Sequence, residues 1–266
     1  MWRSIRRGAM TQTLTALTAA SCAHAASPAP TAAPAGIAAA EQQRDEWRRS
    51  RLRIYMDDFG ELKRFRAANA KLGAPAAAEQ RVVFFGDSIT EAWPLATYFP
   101  GKPYVNRGIG GQTTSQLLVR FRQDVVDLRP AAVVILAGTN DIAGNTGPMS
   151  LDDIQSNFAT LAELARAHGI RVVLSSVIPV HNYTPASART FPLRPPDKIA
   201  ALNKWLAGYC AGNGCTYLDY ASAMADEHGL LKRELAADGL HPTPAGFAVM
   251  APLAEQAIGR ALAAGP

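Results

Sequence analysis

The stretch "VVFFGDSI" at residues 82–89 joins four large apolar residues to a glycine, a carboxylate and a hydroxyl. A continuous apolar run of this length is typical of a strand that is buried on both faces of a parallel sheet. We therefore predict a first strand from Arg81 to Phe85, with Gly86, Asp87 and Ser88 at its carboxyl end. Open α/β sheets bind ligands at that end of their strands, so the three polar positions are candidates for a functional site.

Strands and helices alternate along the rest of the chain. Further apolar runs predict strands at 104–106, 131–137, 170–176 and 216–219, and amphipathic segments predict helices at 114–128, 151–168, 197–210 and 243–263. Parallel strands need crossover connections, which are usually helical. The pattern therefore predicts an α/β fold with a single doubly wound, five-stranded parallel sheet and an extra N-terminal helix.

Three segments precede this domain. Residues 1–25 begin with arginines, continue with a modestly apolar stretch and end in a small-x-small motif, so we expect an export signal that is cleaved after Ala25. Residues 26–37 are rich in Pro and Ala and predict a disordered linker. Residues 38–80 have helical apolar spacing and predict a helical extension that packs on the core, kinks or divides at Gly60, and turns its arginines to solvent.

The N-terminal segment also has two alternative readings. Residues 19–22, ending in Cys22, resemble a lipoprotein signal with alanine in place of the expected leucine, and Arg6-Arg7 resembles a twin-arginine signal. The apolar stretch is too short to span a bilayer, so we expect no transmembrane anchor and a periplasmic or secreted protein.

Charge argues against a nucleic-acid partner. The chain carries 27 Lys and Arg against 22 Asp and Glu, and removing residues 1–25 would take away three arginines and no acid, which leaves a net charge of +2. A nearly neutral protein lacks the broad positive field that attracts phosphate backbones. The 48% hydrophobic and 18% charged content is that of an ordinary globular domain.

Cys210 and Cys215 are the two cysteines that remain outside the leader, separated by "AGNG". This flexible spacer lets the chain turn tightly, so we predict a disulfide that stabilises the domain by about 2 kcal/mol. Two free thiols near a turn are the alternative. No second close pair of Cys or His accompanies them, and we expect no metal.

Further polar clusters follow the predicted strands. Besides Gly86-Asp87-Ser88, these clusters occupy residues 106–113, 138–141 and 238–241. The carboxyl ends of parallel strands meet at one edge of the sheet, so we expect the clusters to lie together. Asp87 and Asp141 are expected to bond loop backbone rather than a metal ion.

These clusters contain the residue types of nucleophilic ester hydrolysis. A serine hydroxyl needs a neighbouring base to become a nucleophile, and Ser88 with His241 is the candidate pair. Asp238, three residues before His241, is placed to orient the imidazole. The backbone N–H groups of Ser88 and Gly111 and the side-chain amide of Asn140 are candidate donors to the oxyanion.

The four motifs "GDSI", "NRGIGGQTT", "GTND" and "DGLH" closely resemble, in order, the conserved blocks of the SGNH/GDSL hydrolases, with isoleucine where the family name has leucine. The resemblance covers residues 81–266 and is greatest to the branch of platelet-activating-factor acetylhydrolase-like and carbohydrate acetylesterase-like proteins. It implies a flavodoxin-like five-stranded SGNH sandwich. We expect no cofactor, because "GIGG" lacks the third glycine of the dinucleotide-binding fingerprint. The resemblance places the family's serine, glycine, asparagine and histidine on Ser88, Gly111, Asn140 and His241, and the acid on Asp238.

The predicted function is that of a serine esterase for short-chain acyl esters, acetyl above all, on carbohydrate. A lysophospholipase or thioesterase and a catalytically silent glycan-binding module are the alternatives. The loop at 179–196 would overhang the same edge, where its side chains contact substrate or solvent; they are His181, Tyr183, Arg189, Phe191 and Arg194. The sequence leaves the acyl length, the alcohol and the oligomeric state open.

Overall fold

Five parallel strands form the centre of the computed structural model, which describes residues 35–264. The strands lie in the order β2-β1-β3-β4-β5. Their bounds are β1 Val82–Gly86, β2 Tyr104–Gly108, β3 Ala132–Leu136, β4 Arg171–Ser175 and β5 Thr216–Leu218. This confirms the predicted doubly wound sheet. The export signal, most of the linker and Cys22 lie outside the described residues.

Helices cover both faces of the sheet. Their bounds are α1 Ala35–Asp58, α2 Arg66–Leu72, α3 Ser88–Glu91, α4 Leu95–Tyr98, α5 Thr114–Asp124, α6 Thr139–Ile142, α7 Leu151–Ala167, α8 Pro196–Gly212, α9 Tyr220–Met224 and α10 Pro244–Ala263. Short 3₁₀ turns occur at Val126–Leu128, Pro185–Arg189, Phe191–Leu193 and Arg233–Leu235. None of the helices in residues 35–264 combines the length and apolarity that a membrane crossing requires.

The N-terminal extension begins earlier than predicted. Helix α1 already begins at Ala35, inside the segment predicted as linker, and ends at Asp58 just before Gly60. Gly60 lies close to α5, because a Cβ there would come 2.7 Å from Val119 Cγ1. Because α1 ends before Gly60 and α2 begins at Arg66, the extension divides near this glycine as predicted. The second helix, α2, is short.

The core lies between the sheet and its helices. All five residues of β1 and all five of β3 are buried, as expected for central strands that are covered on both faces. Phe84 packs against Trp93, Phe99 and Tyr104 with ring centroids 5.5 Å away in each case. This aromatic cluster fixes the chain directly below the turn that leaves β1.

A buried arginine holds the carboxyl end of β1 in place. Arg120 on α5 is fully buried, pairs with Asp124 at 3.1 Å and donates from Nη2 to the carbonyl of Gly86 at 2.9 Å. Its guanidinium carbon lies 4.2 Å from the ring centroid of Phe85. Burial lowers the pKa of Arg120 to about 10, and Asp124 opposes that shift. The guanidinium thus stays charged at neutral pH and fixes the position of the residue before Asp87.

The two cysteines form a disulfide where α8 passes into β5. The Cα atoms of Cys210 and Cys215 are 4.6 Å apart. Cys210 lies on α8 with its side chain buried in the core. The bridge closes the turn that contains Gly214, which has a φ of 64°. The bridge ties the last strand of the sheet to the preceding helix.

Candidate active site

Ser88 lies at the first position of α3, immediately after β1. Asp87 caps this helix, because its Oδ1 accepts from the N–H of Ile89 at 3.0 Å. Gly86 is required there, since a Cβ would come 2.2 Å from the carbonyl oxygen of Leu136 on β3. The strand end and the cap together point Ser88 Oγ at Nε2 of His241, 2.9 Å away.

Asp238 and His241 form a compact turn ahead of α10. Asp238 Oδ2 lies 2.6 Å from His241 Nδ1, and Oδ1 accepts from the backbone N–H groups of Leu240 and His241 at 3.0 and 2.8 Å. Partial burial disfavours the charged carboxylate, but these hydrogen bonds outweigh it and hold the pKa of Asp238 well below its ordinary value. The turn also needs Gly239, which has a φ of 81°.

The three predicted oxyanion donors lie at the same edge. The N–H groups of Ser88 and Gly111 donate to no acceptor among residues 35–264, and Gly111 has a φ of 78°. Asn140 is buried on α6, and its Nδ2 donates to Gln112 O at 3.0 Å and to Asp87 Oδ2 at 3.3 Å. The structure therefore brings together all five residues that the sequence singled out.

Two buried aspartates support the loops around Ser88. Asp141 Oδ1 accepts from the N–H of Thr114 at 2.8 Å, while its Oδ2 has no hydrogen-bond partner among the described residues. Burial raises the pKa of Asp87 to about 7 and that of Asp141 to about 6, against the hydrogen bonds from Ile89 and Thr114 that favour the charged forms. Both carboxyl groups bond backbone N–H groups. No group of three or more His, Cys, Asp or Glu that could hold a metal ion occurs in residues 35–264.

A cleft of about 590 Å³ opens above Ser88 and His241. Helix α1 packs against the 3₁₀ turns at Pro185–Arg189 and Phe191–Leu193, and residues of all three elements line the cleft. We call α1 together with residues 185–194 the cleft roof, and residues 86–88, 108–113, 138–141 and 238–241 the carboxyl edge. The two meet at Gly111, where a Cβ would come 2.5 Å from Trp47 Cζ2 on α1.

The expectation that the arginines of the N-terminal helix face solvent is wrong for two of them. Arg44 and Arg51 line the cleft beside Trp47, with 20% and 22% of their side chains exposed. Among its residues with described burial, α1 buries Ala40 alone among hydrophobic side chains, so it has no broad apolar face for the core. Its inner face is instead aromatic and cationic, and it lies over the carboxyl edge.

The 179–196 loop contributes only part of its polar residues to the cleft. Arg189 and Arg194 line it, whereas His181 is buried with Nε2 2.7 Å from Ala236 O. Tyr183 donates instead to Asp226, away from Ser88. Thr190 also lines the cleft.

Arg194 lies directly behind Asn140, the predicted side-chain donor to the oxyanion. Its Nη2 donates to Asn140 Oδ1 at 3.3 Å, its Nε to Thr139 Oγ1 at 2.9 Å and its Nη1 to Thr190 O at 3.0 Å. Burial lowers the pKa of Arg194 to about 10, with Asp87 and Asp238 opposing, so the side chain is a buried cation at neutral pH. From the sequence this residue was indistinguishable from a solvated arginine, because no local spacing connects it to Asn140.

Comparison with known proteins agrees with this architecture. A model of the GDSL-like lipase/acylhydrolase family matches residues 84–249, which is more than half of the chain. The chain belongs to this family. The match begins in β1 and ends in α10, so it includes every part of the carboxyl edge.

Two curated relatives share a part of the chain with this family member. The uncharacterized lipoprotein YqeF of Bacillus subtilis is 33% identical over 127 residues, which are 41% of this chain and 52% of YqeF. Esterase TesA of Pseudomonas aeruginosa is 33% identical over 129 residues, 43% of this chain and 63% of TesA. The chain thus spans between about half and two thirds of the curated relatives it matches.

Solved structures match over a larger part of the GDSL fold. A GDSL-like lipase from Bacteroides thetaiotaomicron is 40% identical with a TM-score of 0.71 and covers 77% of this chain and 100% of its own. A catalytic mutant of an acetylxylan esterase from Geobacillus stearothermophilus has 21% identity and a TM-score of 0.56, covering 70% of this chain and 97% of its own. At that identity the second likeness concerns the fold alone.

Proposed function

We propose that the protein hydrolyses carboxylic esters through a Ser88-His241-Asp238 triad and an acyl-enzyme. One observation carries this proposal: an unbroken hydrogen-bonded series runs from Ser88 Oγ to His241 over 2.9 Å and from His241 to Asp238 over 2.6 Å. Such a series lets the imidazole accept the hydroxyl proton while the carboxylate stabilises the imidazolium that forms. Family membership is consistent with this chemistry.

The reaction follows from these contacts in two halves. Ser88 Oγ attacks the ester carbonyl and passes its proton to His241 Nε2, and the tetrahedral intermediate then collapses as the imidazolium protonates the leaving alcohol. A water molecule next gives its proton to His241 and attacks the acyl carbonyl. The second tetrahedral intermediate collapses by breaking its bond to Ser88 Oγ, which takes the proton back from His241 as the acid is released. The low pKa of Asp238 keeps its carboxylate charged throughout.

Three donors would stabilise the negative charge that develops on the carbonyl oxygen. The N–H groups of Ser88 and Gly111 are fixed in direction by the start of α3 and by the glycine turn. Asn140 would keep its bond to Gln112 O and turn its other hydrogen from Asp87 to the oxyanion. Each such donor contributes on the order of 3 kcal/mol in the transition state.

Arg194 acts as a positioning residue for that amide. Its charged guanidinium donates to the oxygen of Asn140 and so draws electron density from the amide, which makes the N–H groups better donors. Its bonds to Thr139 and Thr190 fix the guanidinium itself. The 179–196 loop thus supports the chemistry from behind the oxyanion site.

The composition of the cleft favours short acyl groups on a polar alcohol. The described lining residues are mostly charged or polar, and its larger apolar members are Trp47, Ile109, Leu193 and Leu240. A long acyl chain would need a continuous apolar groove to compensate its loss of chain entropy. We infer acetyl esters of carbohydrate as the substrate class. The predicted export signal at residues 1–25 and the lipoprotein relative YqeF support action outside the cytoplasm.

Ester series separate this proposal from its competitors. p-Nitrophenyl esters from acetate to octanoate, and acetylated polysaccharides, would be offered to the unaltered protein and to Ser88→Ala. We expect kcat/KM to be highest for the acetate and butyrate esters, and we expect the protein to release acetate from the polysaccharides. Ser88→Ala should show no turnover above background. A maximum at octanoate would favour a lipid hydrolase, and polysaccharide binding without turnover would indicate a binding module.

A further inference from the structure

Positive charge is in excess in the cleft. Its lining includes five arginines and two glutamates among the residues that the structure describes: Arg44, Arg51, Arg64, Arg189, Arg194, Glu61 and Glu91. Without the predicted leader of residues 1–25, the protein as a whole has a net charge of only +2. The excess is therefore a local property of the surface around Ser88.

Both glutamates are already paired. Glu61 forms an ion pair with Arg51, and both side chains are mostly buried. Glu91 pairs with Arg64 at 2.8 Å and also accepts from the N–H of Gly110 at 2.8 Å. Neither carboxylate is thus available to neutralise the remaining arginines of the cleft.

Two of the other arginines keep donors that are unused by residues 35–264. Arg44 bonds through Nε to its neighbour Asp45 at 3.1 Å, and its two Nη atoms donate to no described residue. Asp45 is half exposed and shared with Arg48 at 3.3 Å, so it offsets little of this charge. Arg189 is exposed and forms no ion pair with any residue in the described range. Arg194, by contrast, is committed to Asn140.

Arg44 and Arg189 lie in the two parts of the cleft roof that pack together. Arg44 belongs to α1 and Arg189 ends the 3₁₀ turn Pro185–Arg189, and these two elements are in contact. Guanidinium groups bind carboxylate, sulfate and phosphate through parallel N–H donors. A cleft of one charge sign also raises the local concentration of ligands with the opposite sign.

We propose that the cleft selects esters whose alcohol part carries an anionic group, which Arg44 and Arg189 bind while the ester carbonyl lies at Ser88. This inference rests on the proposed ester hydrolysis. The charge is assigned to the alcohol because a short acyl group has no room for it. Acetylated acidic sugars, with a carboxylate or a sulfate, fit this description.

A matched pair of substrates tests the proposal. para-Acetoxybenzoate and its methyl ester are both acetyl esters, and they differ in one negative charge on the alcohol side. Each kcat/KM is divided by the rate constant for hydroxide-catalysed hydrolysis of the same ester, which corrects for its intrinsic reactivity. We expect the normalised ratio of anionic to neutral ester to be about ten at low ionic strength and to fall towards one in about 0.5 M NaCl. para-Acetoxyphenyl sulfate distinguishes a sulfate from a carboxylate preference.

Variants locate the effect within the roof. The double variant Arg44→Gln, Arg189→Gln should bring the ratio to about one, and each single change should lower it about threefold. Arg53→Gln on α1 is the matched control, because Arg53 has a 93% exposed side chain that faces Asp57 outside the cleft, and its ratio should not change. A ratio near one in the unaltered protein, or an unchanged ratio in the double variant, would overturn the inference while leaving ester hydrolysis intact. Failure to hydrolyse either ester would overturn the proposed function and the inference together.

Discussion

The carboxyl edge and the cleft roof border the same cleft but are built in different ways. The carboxyl edge is fixed by backbone: Gly86 touches β3, Asp87 caps α3, and the Asp238 turn accepts two N–H groups. The cleft roof consists of a helix with little buried apolar surface and two 3₁₀ turns, and it meets the edge at Gly111. This difference fits the proposed roles, in which the edge performs the chemistry and the roof selects the substrates that reach it.

The largest expected effect lies in the edge. Asp238→Asn should lower kcat for p-nitrophenyl acetate by about 10⁴-fold, because the neutral amide no longer holds His241 in the tautomer that accepts from Ser88. Asp226→Asn serves as the control, because the Asp226 carboxylate accepts from Tyr183 and does not line the cleft. Equal kcat values for the two variants would remove Asp238 from the mechanism.

The buried support of the edge should dominate stability. Arg120→Met leaves Asp124 as an uncompensated buried charge and should cost about 3–5 kcal/mol of the free energy of unfolding. Arg53→Met in the roof removes an exposed pair and should cost less than about 0.5 kcal/mol. Urea unfolding of both variants measures the difference, and similar losses would contradict the distinction between the two regions.

Gly111 tests the contact between edge and roof. Gly111→Ala should lower kcat by about 10²-fold, because its φ of 78° disfavours a side chain and the new Cβ would collide with Trp47. Adding Trp47→Ala should restore part of the loss by removing the collision while the dihedral strain remains. If the losses of Gly111→Ala and Trp47→Ala simply add in this double-mutant cycle, the contact between α1 and Gly111 does not affect catalysis.

Asp87 gives the edge a pH-dependent stability near neutral pH. Its folded pKa of about 7 lies above the unfolded value, so the stabilisation is complete below about pH 4 and is lost as the pH rises towards 7. Relative to Asp87→Asn, the unaltered protein should therefore lose about 2 kcal/mol of stability between pH 5 and pH 7. Parallel stability curves in urea across this range would show that Asp87 does not bind a proton there.

The smallest effect concerns Arg194, the roof residue that reaches the edge. Arg194→Gln should lower kcat about tenfold with little change in KM, because Asn140 loses its charged partner but the cleft keeps its shape. Arg194→Lys should recover part of kcat. A change confined to KM would instead assign Arg194 to substrate binding.

The sheet was predictable because its strands have a strong local signal. The three central strands β1, β3 and β4 contain continuous apolar runs, and the topology followed from the alternation with helices. Boundaries were less exact: β2 runs on to Gly108 because Arg107 and Gly108 pair with β1, and α5 stops at Asp124 before a 3₁₀ turn. Those endings depend on tertiary pairing, which local composition does not encode.

The residues of the carboxyl edge were identifiable for a similar reason. Ser88, Gly111 and Asn140 each follow a strand of the sheet, and the topology of a parallel sheet brings strand ends together. Their catalytic roles remain predictions that the experiments above address. The roof had no such signal, because nothing in the sequence of α1 states that Arg44 and Trp47 face a cleft formed by residues far along the chain.

The most direct test of the account is the rate at which a fluorophosphonate labels the protein, with the adduct located by peptide mass spectrometry. We expect one adduct, on Ser88, and a labelling rate that falls by about 10³-fold or more in His241→Ala. Labelling of another residue, or of Ser88 at the same rate without His241, would contradict the claim that the carboxyl edge activates Ser88.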